Sequence, residues 1–149
     1  MSINEEIFSA HKPLQELIED FEFLDDWEER YRYVIELGKK MPPLEEALKV
    51  PATKVDGCAS QVWIVPKITG SGGSAEFAFR GDSDAMIVRG LIAILSKLYN
   101  NITVNEAIKI DTLHEFAKLG LNEHLSAQRS NGLRSMVERL KGVALNAKA

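Results

Sequence analysis

The segment that organises this chain is residues 53–65, which read Thr53-Lys54-Val55-Asp56-Gly57-Cys58-Ala59-Ser60-Gln61-Val62-Trp63-Ile64-Val65. Cys58 is the only cysteine among the 149 residues. Gly57 stands directly before it and tolerates backbone angles that other residues resist, as a tight loop requires. The apolar run that begins at Val62 has the length and composition of a buried strand. The segment therefore predicts a thiol on a tight loop that leads directly into a strand.

The residues before this segment predict helices. Apolar side chains recur at helical spacing and predict a first helix over much of residues 4–21. Asp25 and Asp26 are candidate N-caps of a second helix. Gly38 is its candidate C-cap, and Met41-Pro42-Pro43 prevents the helix from continuing.

The residues after the cysteine loop predict an antiparallel hairpin. Residues 61–68 form its first strand, and Pro66 is expected to end the core of that strand. Residues 70–74 are a connection rich in glycine and serine. Residues 76–80 alternate in polarity and form the returning strand, with both phenylalanines on one face.

The remaining residues predict further helices. Asp82 or Ser83 is the candidate N-cap of a helix over residues 85–98, which is apolar nearly all the way round. A membrane span needs about 20 apolar residues, so this shorter run, interrupted by Arg89 and Lys97, predicts a buried central helix. Three more helices are expected to begin at the caps Thr103, Asp111 and Ser126. The order along the chain, helices, then a small antiparallel sheet, then helices, predicts an α+β two-layer fold, with residues 1–149 as a single domain.

Composition and charge exclude several classes of function. The net charge of −4 repels nucleic acid. A single cysteine forms neither an internal disulfide nor the clusters that structural zinc and iron–sulfur sites need. The acidic residues 1–6 do not resemble a signal peptide. We therefore expect a protein of the reducing cytoplasm that binds no nucleic acid, no membrane and no metal.

Cys58 is the strongest nucleophile candidate in the sequence, because a thiolate attacks sulfur, carbonyl and metal centres. A free cysteine is also often an inert, small hydrophobic residue of the core, which would make the chain a pure interaction module. A third interpretation is a thiol enzyme in which His124 activates Cys58. The three histidines, His11, His114 and His124, are scattered through the chain and lack the spacing of metal ligands.

Four blocks of sequence resemble one known family, in the same order. They are Gly57-Cys58-Ala59-Ser60-Gln61-Val62-Trp63-Ile64-Val65, Trp27-Glu28-Glu29-Arg30-Tyr31, Gly81-Asp82-Ser83-Asp84-Ala85, and Leu121-Asn122-Glu123-His124-Leu125 together with Arg129-Ser130-Asn131-Gly132-Leu133. This chain resembles the SufE family, the sulfur acceptors that serve cysteine desulfurases. The resemblance implies that family's fold, a small curved antiparallel sheet packed by helices, related to scaffold proteins of the IscU type. The hairpin over residues 66–75 is longer than is usual in the family.

The resemblance implies a function as well as a fold. A SufE-like protein takes persulfide sulfur from a SufS-type cysteine desulfurase, stimulates that enzyme, and delivers the sulfur to a SufBCD-type scaffold that builds iron–sulfur clusters. It is a carrier rather than a stand-alone enzyme, and it needs no cofactor, since the pyridoxal phosphate belongs to the desulfurase. The resemblance also fits a sister acceptor of a second desulfurase (CsdE-like), and it is compatible with a homodimer.

The resemblance extends to individual residues. It implies that Cys58 carries the persulfide, that Asp84 holds the cysteine loop in its resting state, and that Arg129 engages the desulfurase or the loop. The other residues of these blocks that we expect to shape the loop or to engage the partner are Gly57, Ser60, Gln61 and His124.

Overall fold

Three antiparallel strands form the sheet in the computed structural model, which describes residues 12–121 and 125–149. The strands are β1 (Val62–Thr69), β2 (Glu76–Ser83) and β3 (Ile102–Thr103), in the order β1-β2-β3. The helices of the described residues are α1 (Lys12–Glu22), α2 (Trp27–Lys40), α3 (Met86–Tyr99), α4 (Val104–Lys109), α5 (Thr112–Lys118) and α6 (Ala127–Lys148). Two short 3-10 turns cover Glu46–Leu48 and Gly72–Ser74. The α+β prediction is confirmed.

The predicted hairpin is confirmed, but the role expected for Pro66 is wrong. β1 continues through Pro66, which pairs with Phe79 on β2. The N–H of Phe79 donates to Asn100 Oδ1 at 2.8 Å instead of to β1. Pro66 thus occupies a pair without ladder hydrogen bonds, where the N–H that proline lacks is not needed.

The core lies between one face of the sheet and the helices. Ile64, Phe77 and Phe79 are buried on that face, with both phenylalanines on the same side as predicted. α3 crosses this face at close range. A Cβ on Gly81 of β2 would stand only 2.9 Å from Ile92 Cγ2 on α3. The predicted central helix is confirmed as α3, whose buried residues include Leu91, Ile94, Leu95 and Leu98.

Side-chain caps confirm four of the predicted helix starts. Asp26, Thr103, Asp111 and Ser126 each accept a hydrogen bond from the backbone N–H three residues later. Thr103 and Glu106 form the complete capping box.

Two other predicted caps are wrong. Asp82 and Ser83 belong to β2, and α3 begins after Ala85 without a side-chain cap. Gly38 lies inside α2, which continues to Lys40. In both cases the residue makes a tertiary contact with α3 instead: Asp82 pairs with Arg89, and Gly38 packs against Gly90.

Gly38 and Gly90 allow α2 and α3 to cross at very short range. A Cβ on Gly90 would stand 2.2 Å from the carbonyl oxygen of Val34, and one on Gly38 would stand 2.6 Å from the N of Gly90. Both distances are far inside van der Waals contact, so neither position accepts a larger residue without a shift of backbone.

Asp82 and Arg89 form a buried polar network beside this crossing. The Asp82 carboxylate accepts from Arg89 Nη1 and, at 2.9 Å, from the N–H of Leu44. Arg89 Nη2 also donates to the carbonyls of Gly38 at 3.0 Å and Met41 at 2.6 Å. One ion pair therefore joins the end of β2, the start of α3 and the chain that leaves α2.

The pKa of Asp82 follows from this network. Burial by itself would raise the pKa, but hydrogen bonds from the backbone of Leu44 and Ser83 and the charge of Arg89 outweigh it, so the pKa of Asp82 lies below its usual value. Asp82 is therefore ionised in the folded protein at neutral pH.

Within residues 12–121 and 125–149, none of the helices combines the length and apolar character needed to span a bilayer.

Gly90→Ala tests the helix crossing. The added methyl group would meet the Val34 carbonyl, so we expect the free energy of unfolding to fall by about 1–3 kcal/mol or more. Urea denaturation monitored by circular dichroism measures this. Gly142→Ala is the matched control, since a Cβ at Gly142 meets nothing within 4 Å, and in a helix it should be neutral or stabilise by up to about 1 kcal/mol. Equal stability of the two variants would contradict the tight crossing.

Asp82→Ala tests the buried network and its pH dependence. Removal of the carboxylate leaves the partly buried Arg89 with only the Gly38 and Met41 carbonyls as acceptors, which should cost about 3 kcal/mol at neutral pH. Because the folded pKa of Asp82 is lowered, the carboxylate stabilises the fold above its unfolded value of 3.8, and that contribution is lost as the pH falls through the folded pKa. The stability difference from wild type should therefore shrink in acid. Asp25→Ala, at an exposed position, should show neither effect.

Candidate functional site

The cysteine loop is the turn of a second hairpin that shares strand β1. Residues 53–55, which we call the arm, run antiparallel to the outer edge of β1. The N–H of Val55 donates to the Val62 carbonyl and that of Ile64 to the Thr53 carbonyl, each at 2.8 Å. Residues 56–61 connect the arm to β1 and carry Cys58. The prediction of a thiol on a tight loop joined to a strand is thereby confirmed.

Gly57 gives this loop its shape. Its φ of +90° is a conformation that residues with a side chain rarely adopt. A Cβ at this position would also stand 2.5 Å from Ser135 Oγ on α6. Glycine is required both by the turn and by the closeness of the helix.

The thiol of Cys58 rests against α6. Its Sγ lies 3.6 Å from the carbonyl oxygen of Gly132, to which the S–H donates. Helix and thiol are close here, since a Cβ at Gly132 would stand 3.4 Å from Sγ, at the near limit of van der Waals contact. Cys58 is half-buried.

A cavity of about 310 Å³ opens beside the sulfur. Its inner wall is apolar, with Val62 from β1, Leu91 from α3 and Met136 from α6. Its rim is polar and includes Ser60, Ser126, Gln128 and Arg129. The apolar wall suits an uncharged thiol, and the polar rim could bind a polar group at the mouth of the cavity.

Burial raises the pKa of the Cys58 thiol, and the negative charge of Asp56 raises it further. The thiol is therefore protonated at neutral pH in this conformation. Since the thiolate is the nucleophile, this position protects Cys58 more than it activates it.

Asp84 ties the end of the loop to the start of α3. Its Oδ1 accepts from the N–H of Gln61 at 3.0 Å, and its own N–H donates to the Gln61 carbonyl at 3.3 Å. The pair fixes the point where the loop enters β1, two residues beyond the Asp82 network.

Arg129 lies at the cavity rim, in the first turn of α6. Its guanidinium carbon is 5.8 Å from the centre of the Tyr31 ring on α2, a distance suited to a cation–π contact. Arg129 is thus held near the mouth of the cavity by an aromatic side chain from another helix.

Most of the residues singled out in the sequence converge here. Cys58, Ser60 and Arg129 line one cavity, and Gly57, Gln61 and Asp84 shape the loop that carries the thiol. His124 lies outside the described residues. Among the described residues, no group of three His, Cys, Asp or Glu side chains could hold a metal ion.

Sequence reasoning missed the residues of α6 that receive the loop. Gly132, Ser135 and Arg139 contact Cys58, Gly57 and Lys54 respectively. A glycine inside a helical pattern is a signal of close packing, so Gly132 could have been suspected. Nothing in the sequence distinguishes Ser135 or Arg139 from other polar residues of the helix.

Comparison with known proteins agrees with this geometry. Residues 15–144 match the model of the family described as "SufE: Fe-S metabolism associated domain". An uncharacterized SufE-like protein of Rhizobium meliloti is 52% identical, over 88% of this chain and 94% of that protein. Another, from Rhizobium etli, is also 52% identical, over 95% of this chain and 94% of that protein.

A solved structure shares the fold at low sequence identity. The solution structure of a hypothetical protein from Thermus thermophilus superposes with a TM-score of 0.70 and 18% identity, over 91% of this chain and 95% of that one. At this identity the likeness shows the fold alone.

Asp56→Asn tests the electrostatics of the thiol. Removal of the negative charge should lower the pKa of Cys58, because that charge opposes formation of the thiolate. The pH profile of Cys58 alkylation by iodoacetamide should shift to lower pH, with faster reaction at neutral pH. Glu76→Gln, at the far end of the β1–β2 hairpin, is the matched control and should leave the profile unchanged. A profile that Asp56→Asn does not move would show that burial alone governs the thiol.

Proposed function

Because the chain belongs to the SufE family, we propose that it takes sulfur from a cysteine desulfurase onto Cys58 and passes it to an iron–sulfur cluster scaffold. Its association with iron–sulfur metabolism follows from the family itself. We propose three things beyond this association: that Cys58 Sγ carries the sulfur, that a desulfurase donates it, and that a scaffold receives it.

The observation that carries the proposal is the half-buried Cys58 thiol at the edge of a largely apolar cavity. The cavity of about 310 Å³ is ample for one more sulfur atom, since a water molecule takes a share of roughly 30 Å³ in the liquid. A persulfide on Cys58 would extend into a space lined by Leu91 and Met136. Such surroundings keep oxidants and other thiols away from the outer sulfur.

The proposed transfer is an exchange at sulfur. The Cys58 thiol loses its proton, and the thiolate attacks the outer sulfur of the desulfurase persulfide. The sulfur–sulfur bond of the donor breaks as a new one forms on Cys58, and the donor leaves as a thiolate that takes up a proton. One sulfur atom moves and no external oxidant or reductant is consumed. Removal of the persulfide frees the desulfurase for another turnover, which accounts for stimulation.

The resting geometry favours movement of the loop before transfer. The pKa of Cys58 is raised where it lies, and its half-buried Sγ contacts the carbonyl of Gly132. We propose that a SufS-type desulfurase draws the loop away from α6, which both exposes the sulfur and restores an ordinary thiol pKa. Asp84, through Gln61, keeps the base of the loop in place, and Arg129 stands where a partner would first meet the cavity.

Further elements of the proposal concern partners and setting. Pyridoxal phosphate belongs to the desulfurase, and the chain carries sulfur without a cofactor of its own. A SufBCD-type scaffold is the proposed recipient, the cytoplasm is the proposed compartment, and residues 1–149 act as one SufE-like domain. A CsdE-like acceptor for a second desulfurase would use the same atoms of the same loop.

Among the described residues, the cavity beside Cys58 offers no base for a thiol enzyme, and His124, the base expected in that alternative, lies outside them. In the part of the chain that the structure describes, no histidine lines the cavity beside Cys58. His114 is exposed on α5. A cysteine hydrolase needs a base within hydrogen-bond reach of its sulfur, and none of the described residues that line the cavity is a histidine, an aspartate or a glutamate.

The carrier function is tested by intact mass. The reduced chain is mixed with a SufS-type desulfurase, pyridoxal phosphate and L-cysteine, and is weighed after quenching. We expect a gain of one sulfur atom that reductant removes and that Cys58→Ser abolishes. Sulfide release by the desulfurase should rise severalfold in the presence of the wild-type chain but not of Cys58→Ser.

The same experiment can overturn the proposal. If the wild-type chain gains no sulfur either with a SufS-type desulfurase or with the desulfurase that serves CsdE-like acceptors, although iodoacetamide shows the thiol to be reduced, Cys58 is not an acceptor. Sulfur gained equally by Cys58→Ser would place the acceptor on another group.

A further inference from the structure

The arm before the cysteine loop has one edge on β1 and the other on α6. Thr53 and Val55 face β1 through their hydrogen bonds to Ile64 and Val62. Successive residues of an extended chain direct their backbone groups to opposite sides. The carbonyl of Lys54 therefore points away from β1, and it accepts from Arg139 Nη2 at 2.5 Å.

Arg139 lies on the same face of α6 as the other residues that receive the loop. Gly132, Ser135 and Arg139 are separated by three and four positions, the spacing of neighbours along one helix face. They contact Cys58, Gly57 and Lys54 in turn. The loop and its arm are thus laid along a single stripe of α6.

The three contacts differ in strength. The S–H of Cys58 is a weak donor, and its 3.6 Å contact with Gly132 is long. The contact between Gly57 and Ser135 is a close van der Waals approach. The Arg139 hydrogen bond is exposed to solvent, but it is short and has a charged donor, and charged donors form the stronger hydrogen bonds.

We propose that Arg139 is a positioning residue that holds the cysteine loop against α6 and thereby limits access to Cys58. The proposal rests on the carrier function, since it concerns the opening that sulfur transfer requires. With the Arg139–Lys54 contact intact, the arm is held on both edges and Cys58 faces Gly132. Without it, the arm is held along β1 alone, so the arm and the loop that it carries open more often.

Alkylation of Cys58 by iodoacetamide, without any desulfurase, tests the proposal. Arg139→Met keeps much of the length of the side chain and removes its donors, and it should raise the alkylation rate at pH 7 about tenfold, which corresponds to about 1.4 kcal/mol. Loss of a positive charge alone would raise the pKa of the thiol and slow alkylation. An acceleration therefore reports opening of the loop.

Two matched variants separate positioning from general effects. Arg139→Lys keeps a cationic donor and should restore part of the protection. Arg134→Met removes the same charge from an exposed position of the same helix and should alkylate at the wild-type rate or more slowly. Amide hydrogen exchange adds a local measurement, in which Val55 and Ile64 should exchange faster in Arg139→Met while the amides of α3 remain protected.

The outcomes distinguish this inference from the carrier function. Alkylation of Arg139→Met at or below the wild-type rate, or exchange that increases equally in α3 and in the arm, would overturn the inference. A wild-type chain that gains sulfur from a desulfurase would leave the carrier function standing in that case. Faster alkylation of Arg139→Met in a chain that accepts no sulfur would support control of the thiol and refute the carrier function.

Discussion

The ion pair of Asp82 and Arg89 is the interaction on which the arrangement of the site depends. The Asp82 side chain is only 3% exposed, and a buried charge is tolerated only when its partners satisfy it. Arg89 and the N–H of Leu44 do so. The pair fixes the junction of β2 and α3, and from that junction Asp84 reaches Gln61 at the base of the cysteine loop. A shift here would move both the loop and the wall of its cavity.

The site combines protection with the capacity to react. A thiol that carries sulfur between proteins must avoid oxidation while it waits and must become a thiolate when its partner arrives. In the resting fold the first requirement is met by burial against Gly132 and by the charge of Asp56. In the proposed carrier function, the second requirement is met by movement of the loop away from α6. That proposal couples the chemistry to a conformational change in one backbone segment.

Local sequence signals predicted local structure well. Helix caps are an example: the side chains of Asp26, Thr103 and Ser126 accept from the backbone N–H three residues later. A contact over so short a separation can be predicted from the local sequence. Predictions were wrong where tertiary contacts, and not neighbouring residues, determine what a residue does. Asp82 was expected to cap α3, yet its carboxylate serves Arg89 and Leu44. Pro66 was expected to end the strand, but its register opposite Phe79 needs no N–H.

By itself, the sequence determined that one thiol lies on a glycine turn beside a buried strand, within an α+β fold, because turn chemistry and apolar periodicity are local properties. Only the tertiary structure decided what the thiol faces. Cys58 meets Gly132 across 74 positions of the chain and Lys54 meets Arg139 across 85. No periodicity or spacing encodes a contact over such separations, since it arises when β1 and α6 pack around the same core. The protection of the thiol is therefore a property of the assembled fold.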